Sequence, residues 1–212
     1  MIRIEQLAAH LLAIAISVSL LGAAAEAQTS PQQASAFIQD MGAQAVMLLA
    51  NYDDTDARGP GGRFDELIQR GFDLEAIGRY ALGASWERAT TEQRREYQTL
   101  FATWTTYSYA RRLGANKGGS LAVVGAEPFA GTDALVRTRI ILASGLQRDV
   151  DLRVRGTQGR MKIVDVVMGG VSLDMTQRAE FSSVIEHQGL DGLIAGLRTK
   201  VHDLDIKTAQ QQ

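Results

Sequence analysis

Cysteine is absent from the 212-residue chain, which excludes a disulfide frame and a thiolate metal site. A cysteine-free chain fits an oxidising compartment without requiring one. An excess of basic charge is also missing. Twenty-two Lys and Arg face 24 Asp and Glu, for a net charge of −2, whereas nucleic-acid binding needs a positive surface. Nucleic acid is therefore not an expected partner. Histidine is scarce: beyond the first 27 residues only His187 and His202 occur. Neither stands near a serine elbow or at metal-ligand spacing, so both read as surface residues and no metal site is expected. Dinucleotide and phosphate-loop glycine patterns are lacking. GPGG at 59–62 is not followed by the Lys-Ser/Thr that a phosphate loop needs.

What is present begins at the N-terminus. Arg3 precedes the apolar run LAAHLLAIAISVSLLG at 7–22, and small residues end in Ala25-Glu26-Ala27. The pattern reads as a secretory signal peptide, residues 1–27, cut before Gln28. The other reading is an uncleaved anchor. The run has 16 residues against the roughly 20 that span hydrocarbon, which favours cleavage. Residues 28–212 then form a single nearly neutral domain, and a hydrophobic content of 45% over the whole chain is globular.

Along this domain the apolar period is first helical. Phe37, Met41, Ala45, Leu48 and Leu49 predict a helix over 33–51. A polar Pro/Gly loop at 51–63 follows, then short helices near 64–71 and 73–82 stopped by Gly83. Thr90 and Gln93 have capping-box spacing and open a long helix. Tyr97, Phe101, Trp104 and Ser108, flanked by Leu100 and Tyr107, give it one broad stripe, which serves either as plain core or as a ligand wall. From 119 the period becomes two, predicting strands at 119–127, 134–143, 146–155 and 160–168, joined by short turns and so antiparallel. Val136, Ile140, Leu142, Val150, Leu152 and Val154 share the apolar face; Arg137, Arg139, Asp149, Asp151, Arg153 and Arg155 stand on the wet one. In the last strand Val164, Val166 and Met168 fall on one face and Met161, Ile163, Asp165 and Val167 on the other, so this strand is expected to be covered on both sides. Helices near 175–187 and 191–203 close the chain. The expected fold class is α+β, helices packed against a curved antiparallel sheet of four or more strands.

Asp165 is the one carboxylate inside an apolar strand. Two readings stand here. Buried in a pocket, it would have a raised pKa and could act as a base. As part of the frame, it would pair with an arginine or accept backbone N–H bonds from the Gly169-Gly170 turn. No second acid or base lies at a readable spacing, which favours the frame.

Three segments, 72–113, 161–181 and 189–198, together resemble the MlaC, or toluene-tolerance auxiliary, family of periplasmic phospholipid-binding proteins. The marks are Leu82-Gly83 with Trp86, Gln93 with Phe101, and Asp165 with Gly170-Val171-Ser172-Leu173. Gln177-Arg178 with Phe181 and Gly189-Leu190-Asp191-Gly192-Leu193 complete the set. The chain departs from the family's usual pattern at Ser85, often aromatic there, and at Met161, often Trp; both alter pocket shape, and the cargo lipid is left open. A hopanoid-associated branch of the family is similar.

The resemblance implies a lipid carrier rather than an enzyme, with no cofactor beyond its cargo. Such a protein ferries phospholipid across the periplasm between an outer-membrane lipoprotein–porin complex and an inner-membrane ABC transporter with an MCE-domain subunit. Phe101, Trp104, Val136, Ile140, Leu142, Val150, Leu152, Val154 and Val167 are the expected lipid-contacting residues. Asp165, Gly170 and Ser172 are expected to be structural. Arg137, Arg139, Arg153 and Arg155 are candidates for docking. The expected closure of sheet and helices into an NTF2-like cone enclosing an apolar cavity comes from the resemblance, because periodicity cannot tell a hollow core from a packed one. A carrier needs an apolar cavity of several hundred Å³. A cone-fold enzyme needs a smaller one with Asp165 facing a second polar group, and an envelope adaptor needs none.

Overall fold

The computed structural model describes residues 28–50, 62–114, 119–157 and 159–209. The segment read as a signal peptide and most of the 51–63 loop lie outside the described residues. The elements run α1 (Pro31–Ala50), α2 (Arg63–Gly71), α3 (Leu74–Leu82), α4 (Ala84–Arg88), α5 (Thr91–Gly114), β1 (Ser120–Pro128), β2 (Ala134–Ile141), β3 (Gln147–Thr157), β4 (Arg160–Met168), β5 (Val171–Ser172) and α6 (Leu173–Ala209). The strands form one antiparallel meander in chain order, β1 to β5, with the helices packed on it. This is the α+β arrangement expected from the change of period.

Local chemistry sets the helix ends. Pro31 takes the first position of α1, where a missing N–H is harmless, and Ser30 Oγ accepts the N–H of Gln33. Asp73 caps α3 by accepting from Ala76 N at 3.0 Å. The capping box of α5 closes in both directions: Gln93 N donates to Thr90 Oγ1 at 3.1 Å and Thr90 N to Gln93 Oε1 at 3.0 Å. Gly83 ends α3 with φ +53°, a conformation that favours glycine, and the short α4 starts from it. The two predicted C-terminal helices are one run with a break at Gly189, where φ is 72° and ψ 174°. β5 is an addition to the expected strands. Gly169 and Gly170, at φ +58° and +79°, make a two-residue turn of the kind that needs positive φ twice.

Two cores result. One is helical: Ile77, Ala81 and Leu82 of α3, Tyr97 and Phe101 of α5, and Phe181, Leu193, Ile194 and Leu197 of α6. The other lies between α1 and the sheet, with Ala34 and Ile38 over Ala134, Val136, Val150, Leu152, Val154 and Ile163. Phe72 packs against both, and against the α2 cluster of Phe64, Ile68 and Leu74. It forms an isolated bridge with Ile163, so the α2–α3 junction is tied to β4.

One irregularity in β4 decides which residues face inward. Arg153 pairs with Asp165, but Val154 pairs with Ile163, so Val164 is an extra residue in the ladder. Such a bulge shifts the alternation by one. Ile163 therefore shares its face with Val166 and Met168, and Val167 stands on the other side opposite Asp151. The strict alternation expected from the sequence is corrected here. Ile163, Val164 and Asp165 are all buried, which agrees with a strand covered on both sides.

Candidate functional site: an apolar cavity between the sheet and the first helices

The α1–sheet core is solid at one end and hollow at the other. Ala34 and Ile38 fill the end over Val136 and Val154, both fully buried. Further along α1 the stripe continues as Met41, Gly42, Ala45 and Val46. Two of these are small, and there the helix and the strands stand around a cavity of about 410 Å³. α2 contributes Phe64, Leu67 and Ile68, the junction Phe72, α5 Tyr109, and α6 Leu173. The sheet contributes Leu121, Thr138, Ile140, Leu142, Val150, Leu152, Ile163, Val166 and Met168.

The wall is chemically quiet. Thr138 is its one fully buried polar side chain, and its hydroxyl donates to Val150 O at 2.6 Å, leaving no unpaired donor toward the hollow. Tyr109 lays its ring beside Phe72, centroids 5.7 Å apart. Among the described residues no carboxylate lines the cavity, and Arg148 is the one charged residue that does. Ser120, Arg148 and Met168 are exposed lining residues and mark the mouth. The volume is in the range of small-molecule sites, and the lining can bury apolar chains but offers nothing for acid–base or metal chemistry. Among the described residues no group of three or more His, Asp or Glu is arranged to hold a metal ion.

Of the nine residues expected to contact lipid, Ile140, Leu142, Val150 and Leu152 line the cavity. Val136 and Val154 do not; they lie in the solid end of the same core. Val167 is turned away by the bulge at Val164. Phe101 and Trp104 are also elsewhere, because α6 folds back over the aromatic stripe of α5. Phe181 sits 6.2 Å from Phe101 and 6.3 Å from Trp104, ring to ring. The lining from α1 and α2 was not foreseen. Its signal was the spacing 38, 41, 42, 45, 46 combined with small residues at 42 and 45.

Asp165 lies on the other face of the sheet, outside the cavity, in a separate hollow of about 490 Å³ with Arg153, Arg155 and Asp174. Its Oδ1 accepts from Val166 N at 2.8 Å and Asp174 N at 3.3 Å. The frame reading expected an arginine partner or backbone bonds from the Gly169-Gly170 turn. The β5 hairpin instead carries the chain past them and sets the first turn of α6 against the carboxylate. Ser172, directly before α6, accepts from Met175 N at 3.0 Å. Asp174 is buried beside Asp165; burial first, and then the Asp165 charge, push its carboxyl up to about 8, with Arg153 acting in the opposite direction.

The four outer-face arginines are all engaged. Arg137 pairs with Glu127 rather than Asp151, Arg139 with Asp149 at 2.8 Å, and Arg153 and Arg155 converge on buried Asp133. Burial works against the charge on Asp133, but hydrogen bonds and charge from Arg155 and Arg153 prevail and hold its pKa below the ordinary value.

These features define a hollow α+β protein, with an antiparallel sheet and helices closed around an apolar cavity with Arg148 at its mouth. The chain belongs to the MlaC family, whose sequence model, described as MlaC protein, matches residues 43–199. The fold is also similar to the solved structure of a phospholipid-binding protein from Ralstonia solanacearum in complex with a phospholipid. The TM-score is 0.66 at 23% identity, over 81% of this chain and 98% of that one.

Several sequence marks of the family have structural counterparts here. Gln93 Nε2 donates to Asp191 Oδ1 at 2.7 Å, joining the start of α5 to the second half of α6. Arg178 lies over the Tyr80 ring at 4.9 Å and packs against Gly83, where a Cβ would stand 3.0 Å from the guanidinium. Trp86 is flanked by the guanidiniums of Arg79 and Arg94, 5.8 and 5.4 Å from its ring.

Proposed function

We propose that the protein is a periplasmic phospholipid carrier. The observation that carries this reading is the apolar cavity of about 410 Å³, whose described lining carries charge only at the mouth. A phospholipid cannot cross water unaided, because each exposed CH₂ costs about 0.8 kcal/mol. A carrier must offer an apolar wall with few unpaired polar groups, and this cavity has that composition. Membership of the MlaC family and the phospholipid in the Ralstonia relative support the same cargo.

In this reading residues 1–27 direct export and are removed, and acyl chains lie against Ile140, Leu142, Val150, Leu152, Val166 and the small-residue stripe of α1. The carrier exchanges lipid with an inner-membrane ABC transporter bearing an MCE-domain subunit and with an outer-membrane lipoprotein–porin complex. It performs no covalent chemistry.

The test is native mass spectrometry of residues 28–212 purified from a bacterial periplasm without detergent, followed by lipid extraction. A mass excess equal to a phospholipid is the expected result. An extracted hopanoid would place the protein in the hopanoid-associated branch. A bare protein that also takes up no lipid from vesicles would overturn the carrier reading.

A further inference from the structure

We infer that Arg148 anchors the phosphate of the bound lipid at the mouth of the cavity. The inference rests on the carrier reading and adds to it a residue and a headgroup chemistry. Arg148 is in β3, in register with Ile140 and two residues before Val150. Residues two apart on a strand share a face, so its side chain follows the inward row of Val150 and Leu152, and it is part of the cavity lining. The last β3–β4 pair is Val150 with Met168, so Arg148 stands one step beyond the end of β4, where the cavity opens.

Its electrostatic position differs from that of the other arginines on β2 and β3. Arg137, Arg139, Arg153 and Arg155 each have a carboxylate. Among the described residues Arg148 has none, and no carboxylate lines the cavity to compete for it. An amphiphile seated with its chains inward must leave its head at the mouth, and among the described residues the charge waiting there is a guanidinium. The planar fork of arginine matches the oxygens of a phosphate. Arg148 also lines a second hollow of about 460 Å³, which it shares with the carboxylates Asp149 and Asp151 and with Gly169 and Gly170, and this gives the remainder of a headgroup room outside the apolar chamber.

The experiment compares wild type, Arg148→Ala and Arg148→Glu, each stripped of lipid. Each protein is offered vesicles of phosphatidylglycerol or phosphatidylethanolamine containing a minor fraction of diacylglycerol, and bound lipid is extracted and quantified. Thermal melts of all three check folding; at an exposed position without partners they should coincide. The expected result is a loss of phospholipid affinity of about tenfold in Arg148→Ala, the scale of a charged hydrogen bond, and more in Arg148→Glu, with diacylglycerol retention unchanged. Equal phospholipid retention by all three proteins would overturn the inference, and so would a parallel loss of diacylglycerol, which would assign Arg148 to packing. Binding of inorganic phosphate to lipid-free wild type, lost in Arg148→Ala, would reassign the arginine to a free anion and overturn the headgroup role. A wild type that takes up no phospholipid would sink the carrier reading, a result distinct from failure at Arg148 alone.

Discussion

Asp165 accepts the backbone N–H of Asp174 through Oδ1, and the two carboxyl groups, one from β4 and one from the first turn of α6, are buried together. The pair joins the sheet to the helix that covers the aromatic stripe of α5. The electrostatics of this joint make stability depend on pH in a defined direction. In the unfolded chain Asp174 ionises near its ordinary 3.8, and in the folded chain only near about 8. Between those values the native state holds the extra proton. The contribution of this group is therefore fully present below the lower value and is lost as pH rises through the upper one.

Asp174→Asn, which mimics the protonated acid, should remove this dependence. Melting temperatures of wild type and variant, measured side by side across that interval, should converge at the acid end. At the alkaline end the variant should be the more stable. A constant difference between the two curves at all pH values would show that Asp174 does not titrate in this way.

The helical core gives a second expectation, which separates stability from cargo. Phe101 is almost fully buried, stacked 5.6 Å from Tyr97 and edge-on to Phe181 at 6.2 Å. It does not line the cavity. Phe101→Ala should cost about 3–5 kcal/mol, the usual loss for a large aromatic in a packed core, with lipid occupancy of the folded fraction unchanged. Denaturant unfolding and extraction of copurified lipid measure the two quantities independently. Loss of lipid at unchanged stability would return Phe101 to the cavity wall.

The fate of Phe101 illustrates what the sequence could and could not reveal. The stripe Tyr97, Phe101, Trp104 fixed the buried face of α5, but which element covers that face depends on how α6 returns after Gly189, and nothing local encodes that. The strands were legible because their alternation is strict from Val136 to Val154. Alternation failed at Val164, where one extra residue in a largely apolar run separates Ile163 and Val167 onto opposite faces without changing composition. The turn at Gly169-Gly170 was visible as two glycines, whereas the acceptor role of Asp165 toward α6 needed the β5 hairpin to bring the helix there. The hollow was the hardest feature to see. An apolar residue beside empty space reads like one beside a neighbour; Gly42 lets α1 approach Leu121 closely, where a Cβ would stand 2.9 Å from that side chain, and only Ala45 on the same stripe hinted that the helix leaves room.

That same room permits the sharpest test of the cavity as a binding chamber. Ala45 lines it from α1 and is partly buried. An indole grown from this position enters space that already exists, rather than packed core, so Ala45→Trp should cost no more than about 1–3 kcal/mol, the range for overpacking, and less where the ring settles into the hollow. Lipid uptake from vesicles should nevertheless fall sharply, because the ring occupies volume that acyl chains would use. Phe101→Ala and Ala45→Trp thus have opposite signatures, one unstable and loaded, the other stable and empty. If Ala45→Trp binds lipid as well as wild type while melting normally, the acyl chains do not run past α1, and the cavity between the sheet and the first helices is not where the cargo lies.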